Sequence, residues 1–146
     1  VLRIGGASAF WGDSAFAAPQ LLKGPIDYLV FDYLAETTMA IMAKMKEKKP
    51  DSGYALDFVG ITMRQIAPQL EKSGVKVIAN AGGINPVACK VALDEVLADL
   101  GVDLKVGVVL GDDLHPRSDE LRQAGTAEMY SGASYPDKVA SVNAYL

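Results

Sequence analysis

Short runs of apolar residues recur along the chain, each bounded by glycine, asparagine, aspartate or proline. Runs of this length and setting are typical of buried β-strands. They predict five strands, at residues 2–4, 28–31, 75–79, 106–110 and 139–146.

The longer segments between these runs have the apolar spacing of α-helices. Val59, Met63, Ile66 and Leu70 fall on one helical face, and Pro68 is expected to kink or end that helix. A helix over residues 34–48 should turn three methionines inward: Met39, Met42 and Met45. Another helix should begin after an Asn85 N-cap, with Pro86 in its first turn and Gly101 beyond its end.

Strands that alternate with helices predict an α/β fold with a mostly parallel sheet. We expect about five strands with flanking helices, in a Rossmann-like, three-layer arrangement that forms a single domain over residues 1–146. The chain begins at Val1 and its last apolar run reaches Leu146, so we expect an excerpt of a larger domain. The alternative is a complete small domain that has lost only its initiator methionine.

Composition narrows the class of protein. The net charge of −4 argues against a broad electrostatic grip on nucleic acid or anionic lipid. One cysteine cannot form an internal disulfide or a Cys₄ zinc site. Because neither a signal peptide nor a membrane-spanning apolar stretch is evident, we expect a soluble cytoplasmic protein with no nucleic-acid or membrane partner.

Polar and glycine-rich segments follow the predicted strands, where open parallel sheets bind ligands. They cover residues 5–13, 32–37, 80–86 and 111–116. The first does not fit a dinucleotide fingerprint, because Ala7 and Phe10 stand where glycines are required. Its glycines could permit turns, cradle an anion or belong to a nucleotide site, for which Asp32 would be the ribose-binding acid.

Ionisable side chains in these segments are the candidates for catalysis, by general acid–base chemistry or by holding a divalent metal. The candidate catalytic residues are Asp32, Glu36, Asp112, Asp113 and His115. The candidate ligand-binding residues are Gly5, Gly6, Gly12, Asp13, Asn80, Gly82, Gly83 and Asn85. Asp112 and Asp113 could instead cap the next helix. Cys89 is expected to pack in a helix, and Trp11 to line a pocket or fill the core.

Several of these motifs, in this order, resemble the acyclic terpene utilisation protein family. The resemblance is carried by residues 3–13, 27–38, 53–54, 77–86 and 141–146. The first turn departs from the family's usual Gly-x-Gly-x-x-x-Gly-Asp, since it reads Gly5-Gly6-Ala7-Ser8-Ala9-Phe10-Trp11-Gly12-Asp13. Members are longer than this chain, so the resemblance implies the N-terminal part of that family's domain of unknown function. It also implies a bacterial role in breaking down acyclic terpenes through coenzyme A thioesters.

Three functions follow from these observations. The first is a metabolic enzyme, or part of one, that carries out a lyase or hydratase step on a small carboxylic acid or acyl thioester. In that enzyme Asn80, Asn85 and the amides of the glycines would hold a carboxylate or carbonyl oxygen. The second is a non-catalytic ligand-binding or accessory subunit, with a partner chain or a second copy. The third is a nucleotide-binding domain.

Overall fold

A computed structural model describes residues 1–144 of the chain. The chain divides into two compact units, Val1–Val108 and Val109–Leu146, which are described separately. The expectation of a single domain that belongs to a longer chain stays a prediction. No helix in the described part of the chain is both long enough and apolar enough to cross a membrane.

The first unit is an α/β structure, as predicted. Its strands are β1 (Ile4–Ser8), β2 (Tyr28–Phe31) and β3 (Lys76–Ala79). Its helices are α1 (Ala17–Leu21), α2 (Glu36–Lys48), a π-helical segment (Phe58–Met63) that runs into α3 (Arg64–Ser73), and α4 (Pro86–Leu100).

The three strands form a parallel sheet in the order β1-β2-β3. Ser8 pairs with Phe31, and Phe31 pairs with Ala79, so the three strands end at one edge. The register shifts between Gly6 and Ser8, which forms a bulge just before that edge. Bulges redirect the chain that follows them, here the loop that leaves β1.

Side chains alternate across the sheet, and helices cover one of its faces. Leu29 and Phe31 point into a core whose most deeply buried side chains include Met42, Ile66 and Leu70. The opposite face is exposed: Ile4 is 62% and Ile78 is 55% accessible to solvent. The predicted three-layer arrangement is therefore not formed within this unit, because the second face lacks a layer of helices.

Two of the five predicted strands are not formed in the described residues. Residues 106–110 carry no strand pairing, and Val109 is 93% exposed. In residues 139–144 only an isolated antiparallel bridge forms, between Asp113 and Asn143. A strand needs a continuous hydrogen-bonded neighbour as well as an apolar run. Residues 106–110 have none, and residues 139–144 are joined to residues 112–114 by only two backbone hydrogen bonds, from Leu114 N–H to the Val142 carbonyl and from Ala144 N–H to the Asp112 carbonyl. The last two residues of the predicted fifth strand, Tyr145 and Leu146, lie outside the described residues.

The helix predictions are confirmed with three adjustments. α2 begins at Glu36, and it buries Met39 and Met42 while Met45 stays partly exposed. α3 continues past Pro68 to Ser73. The proline ring would crowd the carbonyl of Arg64, but Arg64 lies where the helix changes from π to α geometry. α4 begins at Pro86 and ends at Leu100, as expected. The next residue, Gly101, has the left-handed backbone conformation. Asn85 occupies the N-cap position, but its side chain makes no capping hydrogen bond.

The second unit contains a 3₁₀ turn (His115–Arg117) and a short helix α5 (Ser118–Gln123). Two isolated bridges complete it, Asp113 with Asn143 and Ala127 with Ser134.

Candidate functional site

Asp32 and Asn80 lie side by side at the carboxyl edge of the sheet. Asp32 directly follows β2, and Asn80 directly follows β3. Asn80 Nδ2 donates a hydrogen bond to Asp32 Oδ1 at 2.7 Å, while Asn80 Oδ1 accepts one from the Tyr33 backbone N–H at 2.7 Å. The Asn80 amide is thus fixed by a partner at each end, and it holds the exposed Asp32 carboxylate in one orientation.

The end of β1 joins the same network. Ser8 Oγ donates to the Asp32 carbonyl oxygen at 3.3 Å, and the Asp32 N–H donates to the Ser8 carbonyl at 3.4 Å. Ser8 was not among the sequence candidates, although its position at the end of a strand beside a glycine-rich loop could have indicated it. Three strand ends therefore contribute a hydroxyl, a carboxylate and an amide to one edge.

Glu36 supplies a second carboxylate to the segment after β2. It is the first residue of α2 and is exposed. Acidic side chains in a first helical turn are stabilised by the helix dipole, so this position also has a purely structural explanation.

The loop that follows β1, residues 9–16, is closed by Asp13. Its carboxylate accepts hydrogen bonds from the N–H groups of Ala9 (3.0 Å) and Ser14 (2.7 Å), and these bonds lower the pKa of the Asp13 side chain. Gly12 supports the turn with a φ of +97°, a conformation that residues with a Cβ rarely adopt. Gly12 and Asp13, predicted to bind ligand, therefore shape this loop.

Trp11 fastens the same loop to the helical side of the unit. Its indole Nε1–H donates to Asp57 Oδ1 at 2.7 Å, and its ring packs against the edge of the hydrophobic core. Asp57 immediately precedes the π-helical segment, a feature often found at functional sites. Asp57 was missed in the sequence because nothing local links it to a tryptophan that lies 46 residues earlier.

The Tyr33 phenol lies beneath this edge. Its ring stacks on Phe31 and meets the edge of Phe58, with centroids 6.0 and 5.8 Å apart. Burial raises the pKa of the Tyr33 hydroxyl, the nearby Asp57 charge adds to the increase, and hydrogen bonding with Thr62 opposes it. Tyr33 therefore stays neutral at physiological pH and can act as a donor.

Several candidate glycines lie where a larger side chain would collide with its neighbours. Gly5 and Gly6 lie inside β1 rather than in the loop after it, and a Cβ on Gly5 would be 3.3 Å from the Leu21 side chain. A Cβ on Gly82 would come within 2.7 Å of Pro86 Cβ, and one on Gly83 within 2.7 Å of the Gly53 carbonyl oxygen. These contacts explain Gly5, Gly82 and Gly83 without a ligand, whereas a Cβ on Gly6 would meet no atom within 4 Å.

The side-chain amide of Asn85 is hydrogen-bonded within the protein. Its Nδ2 donates to the carbonyl oxygens of Pro50 and Ser52, both at 2.8 Å. An amide nitrogen carries two hydrogens, so both are used. Asn85 thus ties the start of α4 to the loop after α2.

Asp112, Asp113 and His115 belong to the second unit, which they help to shape. Asp112 Oδ2 accepts from Asn143 Nδ2 at 2.9 Å, and Asp113 Oδ1 accepts from the His115 N–H at 2.9 Å. His115 Nε2 lies 3.1 Å from the Val139 carbonyl oxygen. Among residues 1–144, no three or more His, Cys, Asp or Glu side chains are grouped so that they could hold a metal ion.

Cys89 is buried in α4, and burial raises the pKa of its thiol to about 11. A thiol with so high a pKa is a poor nucleophile at neutral pH. The packing role predicted for Cys89 is consistent with this environment.

The chain was compared with known proteins. A family model described as the acyclic terpene utilisation family protein AtuA matches residues 2–146. No curated protein and no solved structure matches the chain.

Proposed function

This chain belongs to the acyclic terpene utilisation family AtuA, and from that premise we propose that it is an enzyme, or part of one, in the breakdown of acyclic terpenes. Its substrate is a branched carboxylic acid or its acyl thioester with coenzyme A, and its reaction is a lyase or hydratase step. The protein acts in the bacterial cytoplasm.

The Asp32–Asn80 pair carries this proposal. A hydratase or lyase step requires a group that moves a proton next to a carbonyl carbon, and an exposed carboxylate held in one orientation suits that task. Asp32 is such a group, since Asn80 Nδ2 fixes one of its oxygens at 2.7 Å and leaves the other available.

Asn80 has a second role in the proposed reaction. One of its two N–H bonds serves Asp32, and the other is available to the carbonyl or carboxylate oxygen of the substrate. An oriented N–H donor stabilises negative charge as it develops on such an oxygen. The proton-moving group and the oxygen-binding group would then lie on two adjacent strand ends.

Turnover of terpenoid acyl thioesters by Asp32→Asn tests the assignment. The amide keeps the size of the carboxylate but cannot accept the proton, so we expect the rate to fall by about 10²–10⁴-fold. Asp103→Asn makes the same chemical change at an exposed aspartate that is not a candidate site residue, and should leave the rate unchanged. Undiminished turnover in a folded Asp32→Asn protein would refute the proposal.

The exposed face of the sheet supports a second candidate, a ligand-binding or accessory subunit that associates with a partner chain or a second copy. Ile4 and Ile78 are apolar and more than half exposed on that face. Exposed apolar surface of this kind often marks an interface. Light scattering of the wild-type protein and of Ile78→Lys would test this candidate. We expect the wild type to have a mass above that of the monomer, and the variant to have a lower mass.

A further inference from the structure

The loop after β1, residues 9–16, is aromatic rather than basic. It contains three aromatic side chains, Phe10, Trp11 and Phe16, one acidic side chain, Asp13, and neither lysine nor arginine. Phe10 is 57% exposed and Phe16 is 74% exposed. Hydrogen bonds to Asp13 lower the pKa of its carboxyl group, so the loop carries negative charge at neutral pH. Such a loop repels phosphate and offers hydrocarbon surface.

Two contacts hold this loop in place. Asp13 closes its turn on Ala9 and Ser14, and Trp11 Nε1 is anchored 2.7 Å from Asp57 Oδ1. Both acceptors are carboxylates, and hydrogen bonds to a charged group are stronger than neutral ones. The aromatic side chains are thus presented on a fixed segment.

The loop starts beside the backbone of Asp32, the proposed catalytic residue. Ser8 Oγ contacts the Asp32 carbonyl oxygen, and Phe10 is only two residues further along the chain. Two residues span at most about 7 Å of extended chain. The backbone of Phe10 therefore lies within about 7 Å of Ser8, the strand end that is hydrogen-bonded to the backbone of Asp32.

We infer that the loop of residues 9–16 forms the wall that binds the hydrocarbon chain of a terpenoid carboxylate, with Phe10 and Trp11 as its contact residues. This inference rests on the proposed function, which places the acid or thioester head at Asp32 and Asn80. Asp57 acts as a positioning residue, because it touches Trp11 and not the ligand.

Trp11 makes the inference directly measurable, because it is the only tryptophan in the chain. The purified protein is titrated with a monoterpenoid carboxylic acid, a linear acid of equal carbon number, and acetate, while tryptophan emission is recorded. We expect a saturable change with the monoterpenoid acid, a weaker response to the linear acid, and none with acetate.

Matched variants assign the effect to the wall. Phe10→Ala should weaken binding of the monoterpenoid acid about tenfold, the loss of roughly one buried aromatic contact. Val91→Ala shortens a side chain of similar exposure, 54% against 57%, on α4 and should leave binding unchanged. Asp57→Ala removes the acceptor of Trp11 and should weaken binding, whereas Asp57→Asn keeps an acceptor oxygen and should restore it. Circular dichroism confirms that each variant is folded.

Calorimetry with the same acids completes the test. Heat of binding without a change in Trp11 emission would place the ligand elsewhere and overturn the inference, as would the absence of binding by both methods. If Asp32→Asn loses turnover while Phe10→Ala keeps its KM for the monoterpenoid thioester, the wall fails and the proposed reaction stands. If Phe10→Ala loses binding while Asp32→Asn turns over normally, the wall stands and the proposed reaction fails.

Discussion

Gly83 occupies a position that only glycine fits, and its replacement by alanine gives a sharp test of the glycine loop. Its φ is +53°, and a Cβ built there would overlap Met42 Sδ and lie 2.7 Å from the Gly53 carbonyl oxygen. Met42 is fully buried, so its thioether cannot move aside without disturbing the core. The Gly53 oxygen belongs to the backbone and has still less freedom.

The expected cost has two parts. A left-handed conformation costs a residue with a Cβ about 1–2 kcal/mol, and forcing extra volume into a packed core costs about 1–3 kcal/mol. Gly83→Ala should therefore lower the free energy of unfolding by about 2–5 kcal/mol. Gly101→Ala is the matched control, because Gly101 has a φ of +65° and no atom within 4 Å of the position of its Cβ. It should lose only the conformational part.

Urea unfolding followed by circular dichroism measures both variants. We expect a lower midpoint with an unchanged slope, and a larger shift for Gly83→Ala. Met42→Ala combined with Gly83→Ala should cost less than the sum of the single changes, because the smaller side chain removes one overlap. Equal losses in Gly83→Ala and Gly101→Ala, within about 0.5 kcal/mol, would refute the steric argument.

Three further predictions concern single side chains. Cys89 has a pKa of about 11 and should resist alkylation at pH 8 in the folded protein, then react within minutes in urea, as mass spectrometry would show. Folding lowers the pKa of Asp13, so its stabilising contribution is fully present above the ordinary aspartate pKa and is lost as the pH falls from there through the lowered pKa. Asp13→Asn should therefore flatten the acid limb of a pH titration of thermal stability. Asn80→Asp replaces the donor to the exposed Asp32 with a second carboxylate and should lower stability, which a lower midpoint of thermal unfolding would show.

Local chemistry predicted the helices better than the strands. α4 carries its own boundary signals, Pro86 at the start and Gly101 at the end, and the structure follows both. Residues 106–110 are as apolar as β2, but β2 lies between two partners and residues 106–110 have no strand beside them. Hydrophobic patterning shows which segments could be buried but not whether a partner strand is there to cover them, so it cannot separate these cases.

The rule that ligands bind at strand ends brought out Asp32 and Asn80, which the structure places in contact. It also brought out Asn85, whose amide is used on Pro50 and Ser52. Whether a side-chain amide is already hydrogen-bonded within the protein depends on contacts between distant segments. Such contacts cannot be read from a single sequence. Trp11 and Asp57 illustrate the same limit, because only the folded chain brings them together.

The first loop bears on the nucleotide interpretation of its glycines. A phosphate cradle needs free N–H groups at the start of a substantial helix, together with compensating positive charge. Here α1 has five residues, Gly5 and Gly6 lie within a strand, and Asp13 keeps the loop anionic. A nucleotide site at this turn is therefore disfavoured, and the same residues suit a ligand with a polar head and a hydrocarbon chain.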